Sequence, residues 1–154
     1  MRFWIDCEWN DWQGELISIA LVDADGFEFY RVVRYLGAKP WVMENVIPKL
    51  GRGAVSYQTM QQELKEFLMP YSTVHIIADW PEDIMHFCRA LVTGPGERIP
   101  TPKLTMEIRR DIGSDKSKIP HQALADAHAM RLEHLALELG SNSTTKKGTN
   151  DESN

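Results

Sequence analysis

Positive charge is in short supply: 17 lysines and arginines stand against 22 aspartates and glutamates, a formal net charge of −5 over 154 residues. That excludes a domain holding nucleic acid by bulk positive charge, since such domains are strongly basic. It leaves open nucleic-acid chemistry in which divalent metals supply the charge. Only two cysteines occur, Cys7 and Cys88, both in apolar surroundings; the expectation is buried free thiols in a reducing cytoplasm rather than an oxidised pair. Long apolar runs are missing too. The longest near the front, residues 16–22, is strand-sized and far from the ~18 residues of a membrane helix. The first eight residues carry two carboxylates and no apolar h-region, so no secretory leader is expected. There is no P-loop, no G-x-G-x-x-G and no G-x-S-x-G. His75, His86, His128 and His134 lack the H-E-x-x-H or paired C-x-x-C that would support zinc.

What is present is the composition of one ordinary globular domain, 43% hydrophobic and 25% charged. Strand-like and helix-like segments alternate along it. Residues 3–8, 15–22 and 27–33 read as three strands joined by a turn at 9–14 and a tight turn at Asp25-Gly26, which is an antiparallel meander. Residues 41–50 read as a short helix stopped by Gly51. Thr59-Met60-Gln61-Gln62 has the form of a capping box, followed by Leu64, Phe67 and Leu68 at helical spacing. Residues 74–78 read as a strand, and Asp79-Trp80-Pro81 opens a helix with Ile84, Phe87, Cys88 and Leu91 inward. A Pro/Gly-rich connection, 94–103, leads to an edge strand at 103–108. Residues 121–140 hold the longest helix, with Leu124, Ala127, Leu135 and Leu139 among its apolar positions and Gly140 as its stop. The sum is an α/β fold, a mixed sheet with helices on its faces, over residues 1–140. Residues 141–154 have no large apolar side chain and read as a disordered tail.

Three clusters carry chemistry. Asp6 and Glu8 lie two apart on a strand, so they share one face while Ile5 and Cys7 take the other. Either the strand ends at Asp6 and both acids are solvated, or something positive sits between them, since burying two carboxylates is otherwise costly. His121 and Asp126 stand five apart at the entrance to the last helix. Five helical residues rotate about 140° past a full turn, so the two converge only if His121 precedes the helix. Asp79, Glu82 and Asp83 mark a strand-to-helix junction, where acids also suit a cap and the positive end of the helix dipole.

Together these clusters resemble the DEDDh 3′–5′ exonuclease family, the RNase T/DnaQ-like group with an RNase H-like fold. Asp6-Cys7-Glu8 is similar to the family's D-x-E motif, and His121-Gln122-Ala123-Leu124-Ala125-Asp126 to its H-x4-D motif. Asp83 takes the position of the middle aspartate, in the first turn of the helix after the fourth strand. The Asn and Phe that usually precede it are replaced by Asp79, Trp80, Pro81 and Glu82, which leaves Asp79 as the alternative. The segment Trp41-Val42 with Asn45-Val46-Ile47-Pro48-Lys49-Leu50 looks like the small prokaryotic and phage branch of exoribonuclease-like proteins. The resemblance spans residues 1–140.

It implies two Mg²⁺ or Mn²⁺ ions held by Asp6, Glu8, Asp83 and Asp126, with Asp6 bridging, because hard oxygen ligands suit those ions. His121 would be the general base, a role suited to histidine's near-neutral titration. The implied substrate is single-stranded RNA or a 3′ overhang, with DNA as the alternative and a silent nucleic-acid-binding module as the rival from another class. Members of the family often pair, which makes a homodimer an expectation from resemblance alone. Trp9 and Trp12 would either stack on 3′-terminal bases or cover the sheet's rim. Lys103, Arg109, Arg110, Lys116 and Lys118 form either a phosphate track toward His121 or a solvated loop.

Overall fold

Residues 16–22 are apolar at every position but Ser18, and such a run forms a strand covered on both faces. The computed structural model, which describes residues 1–145, places it in the sheet interior. Strand β1 (Arg2–Trp9) pairs antiparallel with β2 (Leu16–Asp23), and β2 antiparallel with β3 (Glu28–Val33). A two-residue strand, β4 (Ala54–Val55), lies parallel to β3. On the other side β5 (Thr73–Ala78) runs parallel to β1. After a small hairpin, β6 (Val92–Gly94) with β7 (Glu97–Arg98), strand β8 (Lys103–Ile108) runs parallel to β5 at the edge. The sheet order is β4-β3-β2-β1-β5-β8. Helices α1 (Pro40–Asn45), α2 (Tyr57–Leu68), α3 (Pro81–Leu91) and α4 (Ala123–Thr145) cover the faces. This is the meander-plus-parallel-strands arrangement of an RNase H-like α/β architecture.

The period-two alternation of β1 divides the core. Phe3, Ile5 and Cys7 pack with Met60, Leu64 and Leu68 of α2 and Phe87 and Ala90 of α3. Trp4 faces the opposite way, toward Val42 of α1 and Ala123, Ala127 and Met130 of α4. Asp6 and Glu8 therefore belong to the α4 side.

Several local expectations are corrected. Helix α2 starts at Tyr57, capped by Ser56, whose hydroxyl accepts from the Thr59 N–H at 3.0 Å; the capping box read at Thr59 lies inside the helix. The helix read over 41–50 splits into α1 and a 3₁₀ turn, Ile47–Lys49, because Pro48 has no N–H to continue the ladder. Cys7 is buried and free, but Cys88 is free and exposed, its thiol 3.7 Å from the Met106 sulfur on the edge strand β8. Leu139 is exposed as well. Gly140 does not adopt the left-handed conformation that ends helices, and α4 continues to Thr145. The remainder of the expected tail, 146–154, lies outside the described residues. Among the described residues no helix is long and apolar enough to cross a membrane.

Candidate active site

The acids of β1 sit at its C-terminal end, Asp6 opposite Ala20 and Glu8 opposite Ser18, with the register shifting between Glu8 and Trp9. Beside them β5 ends at Ala78, and Asp79 leads into α3. Pro81 occupies the first helical position, where its missing N–H costs nothing. Asp83, in the first turn, is 1% exposed, and its Oδ1 accepts the Cys7 N–H at 2.9 Å. That bond fixes the start of α3 to the backbone between Asp6 and Glu8. From the far end of the chain, Asp126 enters on the first turn of α4 and accepts the His121 N–H on Oδ2 at 2.9 Å. His121 itself precedes the helix, as convergence requires.

One ligand oxygen each from Asp6, Glu8 and Asp126 lie within 4.8 Å of one another, and so do one each from Asp6, Asp79 and Asp83. The two groups share Asp6. Burial pushes the Asp6 carboxyl well above the usual range, and Asp83, Glu8, Asp126 and Asp79 push the same way. Asp83 is raised by burial and then by Asp79. Glu8 is pushed up to about 8 by burial and by Asp126, with Lys49 acting in the opposite direction. Asp79 and Asp126 are both raised, again mainly by burial. Carboxylates crowded this way repel one another unless a cation intervenes. A second observation agrees: Asp126 Oδ1 is buried without a hydrogen-bond partner, a cost that a coordinated cation would remove. All the donors are hard oxygens, so either group can hold a divalent ion. Neither contains a histidine.

These residues line one cleft of about 510 Å³, shared with Cys7, Trp9, Asp11, Trp12, Trp41, Val42, Trp80, Glu82, Ser114 and His121. The exposed His121 ring meets Trp41 edge-on, centroids 5.0 Å apart. The cleft is open, floored by acids, and has a histidine on its wall.

A 3′–5′ exoribonuclease of Mycobacterium tuberculosis (strain CDC 1551 / Oshkosh) is 32% identical to this chain over 148 residues, covering 82% of this chain and 87% of that protein. The 3′–5′ exoribonuclease of strain H37Rv matches to the same extent. This chain belongs to their family. No family model matches it. Kinship and the paired acid groups together support a nuclease-like function.

The fold brings Asp6, Glu8, Asp79, Asp83, His121 and Asp126 to one place, along with both tryptophans singled out in the sequence. Trp9 is half-buried and stacks on His86 at 5.3 Å, whereas Trp12 is 78% exposed. Two further tryptophans were not anticipated here: Trp41, 54% exposed, and Trp80, 45% exposed. Both adjoin a proline at a helix start, a position without a core face, and that was the available signal. The basic residues of the 103–118 segment have separate surroundings. Arg109 pairs with Asp111, Arg110 lies over the Trp80 ring, Lys116 pairs with Glu133, and Lys103 begins the edge strand.

Proposed function

We propose that this protein is a metal-dependent 3′–5′ exonuclease of the DEDDh type, acting on RNA and releasing nucleoside 5′-monophosphates. The observation that carries this reading is the pair of carboxylate groups sharing Asp6. Asp6, Glu8, Asp83 and Asp126 would hold two Mg²⁺ or Mn²⁺ ions, Asp6 serving both. When bound, such ions neutralise the phosphate and hold the attacking and leaving oxygens of an in-line displacement. His121, on the wall of the same cleft, takes a proton from the attacking water. The water oxygen bonds to phosphorus, the P–O3′ bond breaks, and the departing 3′ oxygen gains a proton from solvent. Trp12 offers a stacking face for a terminal base. The choice of RNA is supported by the mycobacterial relatives, which are named as exoribonucleases. A silent binding module is disfavoured, because crowded carboxylates facing a phosphate backbone gain it nothing.

The test is 5′-labelled single-stranded RNA and DNA incubated with Mn²⁺ or Mg²⁺, with and without EDTA. Expected are progressive shortening of RNA from its 3′ end, abolition by EDTA, and losses of about 10²- to 10⁴-fold for Asp6→Asn and for His121→Ala. Full activity in Asp6→Asn would show the site to be misassigned, and faster DNA degradation would move the substrate. In the same assay Asp83→Asn is expected to lose turnover while Asp79→Asn retains it; the reverse would make Asp79 the ligand.

A further inference from the structure

The chain around His121 is held in a conformation that it does not favour unaided. His121 has φ +65°, the left-handed region that residues with a Cβ adopt sparingly and keep only where their surroundings impose it. The turn's own bond, from the Gln122 N–H to the Ile119 carbonyl at 3.2 Å, spans Pro120 and His121, and three hydrogen bonds involving side chains reinforce it. The His121 N–H donates to Asp126 Oδ2. Lys49 Nζ donates to the Pro120 carbonyl at 2.7 Å. Gln122 Nε2 donates to the Lys49 carbonyl at 2.7 Å. Lys49 thus grips the backbone before His121 with its side chain and the side chain after it with its own carbonyl.

The grip is anchored. Lys49 ends the 3₁₀ turn Ile47–Lys49 and its N–H donates to the Val46 carbonyl, with Val46 buried in the core under α4. The next residue, Leu50, is buried, and its carbonyl accepts the Tyr30 hydroxyl at 2.9 Å, which ties the turn to β3. Neither Lys49 nor Gln122 belongs to the apolar core. Their bonds converge on three residues, 120–122, whose middle member projects an exposed ring into the cleft.

We infer that Lys49 and Gln122 are positioning residues for His121, fixing the left-handed turn from which its imidazole reaches the acid cluster. The inference rests on the exonuclease reading, in which His121 is the general base. It identifies the 3₁₀ turn after α1 as part of the catalytic framework, and it makes the rate depend on a lysine that touches no substrate.

The experiment compares wild type, Lys49→Met, Lys49→Arg, Gln122→Ala, His121→Ala and the Lys49→Met/His121→Ala double variant on single-stranded RNA with Mn²⁺, under single-turnover conditions for the slow variants. Amide hydrogen exchange is measured on the same proteins. Lys49→Met is expected to lower kcat by about ten- to a hundredfold with KM changed by less than about twofold, and Lys49→Arg to restore most of the rate. Gln122→Ala follows Lys49→Met to a smaller extent. With His121 already removed, Lys49→Met should change the residual rate by less than about twofold, since coupled residues are not additive. The His121 and Gln122 amides should exchange at least about tenfold faster in Lys49→Met, with the α4 core amides unchanged. A raised KM that persists without His121 would overturn the inference by making Lys49 a phosphate contact; unchanged exchange at His121 would overturn it as well. A wild type without metal-dependent nuclease activity would overturn the exonuclease reading instead, and exchange would still decide whether Lys49 orders the turn.

Discussion

Trp9 ends β1, and Trp12, three residues on in the turn, meets different surroundings. Trp9 packs against the α2–α3 side of the core and covers the buried His86 ring; Trp12 stands out from the molecule. The physics separates their roles. Trp9→Ala removes packing and opens a void above His86, costing on the order of 2 kcal/mol or more in chemical denaturation. Trp12→Ala leaves stability within about 0.5 kcal/mol of wild type, as exposed substitutions do, and raises KM for RNA several-fold through the loss of one stacking face. An unchanged KM would remove Trp12 from the substrate path. Sequence spacing could not make this distinction, because a turn residue's direction depends on the register shift after Glu8, which only strand pairing reveals.

Elements were legible where periodicity and punctuation agreed. The edge strand β8 and the interior strand β2 announce themselves by composition, and Pro81 marks the start of α3. Helix α2 shows the failure mode. The sequence pattern points to Thr59 as the cap, and Ser56 takes that place because Tyr57 onward can turn inward to bury Met60, Gln61, Leu64 and Leu68. Ser56→Ala is therefore expected to cost about 1 kcal/mol, within the usual range for losing a side-chain cap. Thr59→Ala should cost less, which thermal unfolding of the two variants checks. Gly140 shows the opposite case: a residue with the chemistry of a stop stays helical, at a propensity cost that the local chain tolerates.

At the scale of the whole molecule, the fold gathers five carboxylates that no local force would bring together, and the cost appears as pH dependence. A glutamate ordinarily titrates at 4.5, and Glu8 is raised to about 8. Between those values the unfolded chain releases a proton that the folded protein keeps, so metal-free stability falls as pH rises through that window, by on the order of 4 kcal/mol for this group. His86 acts in the other direction, since burial holds it down to about 4; its contribution is lost as pH drops below 6.5 toward that value and offsets the gain from Glu8 there. In EDTA, Tm should accordingly decline between pH 6.5 and pH 8.5. Glu8→Gln should flatten the decline and raise the metal-free Tm at pH 8.5. Mn²⁺ should raise the wild-type Tm there more than that of Glu8→Gln, and a flat wild-type curve would mean that the acids do not crowd.

The sequence by itself determined the sheet's buried strands, the common face of Asp6 and Glu8, and the start of α3 at Pro81, because each follows from strand composition, from a period of 2.0 or from a proline's missing N–H. Only the tertiary structure decided that Asp6 belongs to two acid groups with Asp126 and with Asp79 and Asp83, and that Lys49 grips the turn at His121. Those facts concern distances between residues tens of positions apart, and chain periodicity carries no information about such distances until the sheet order and the helix packing are set.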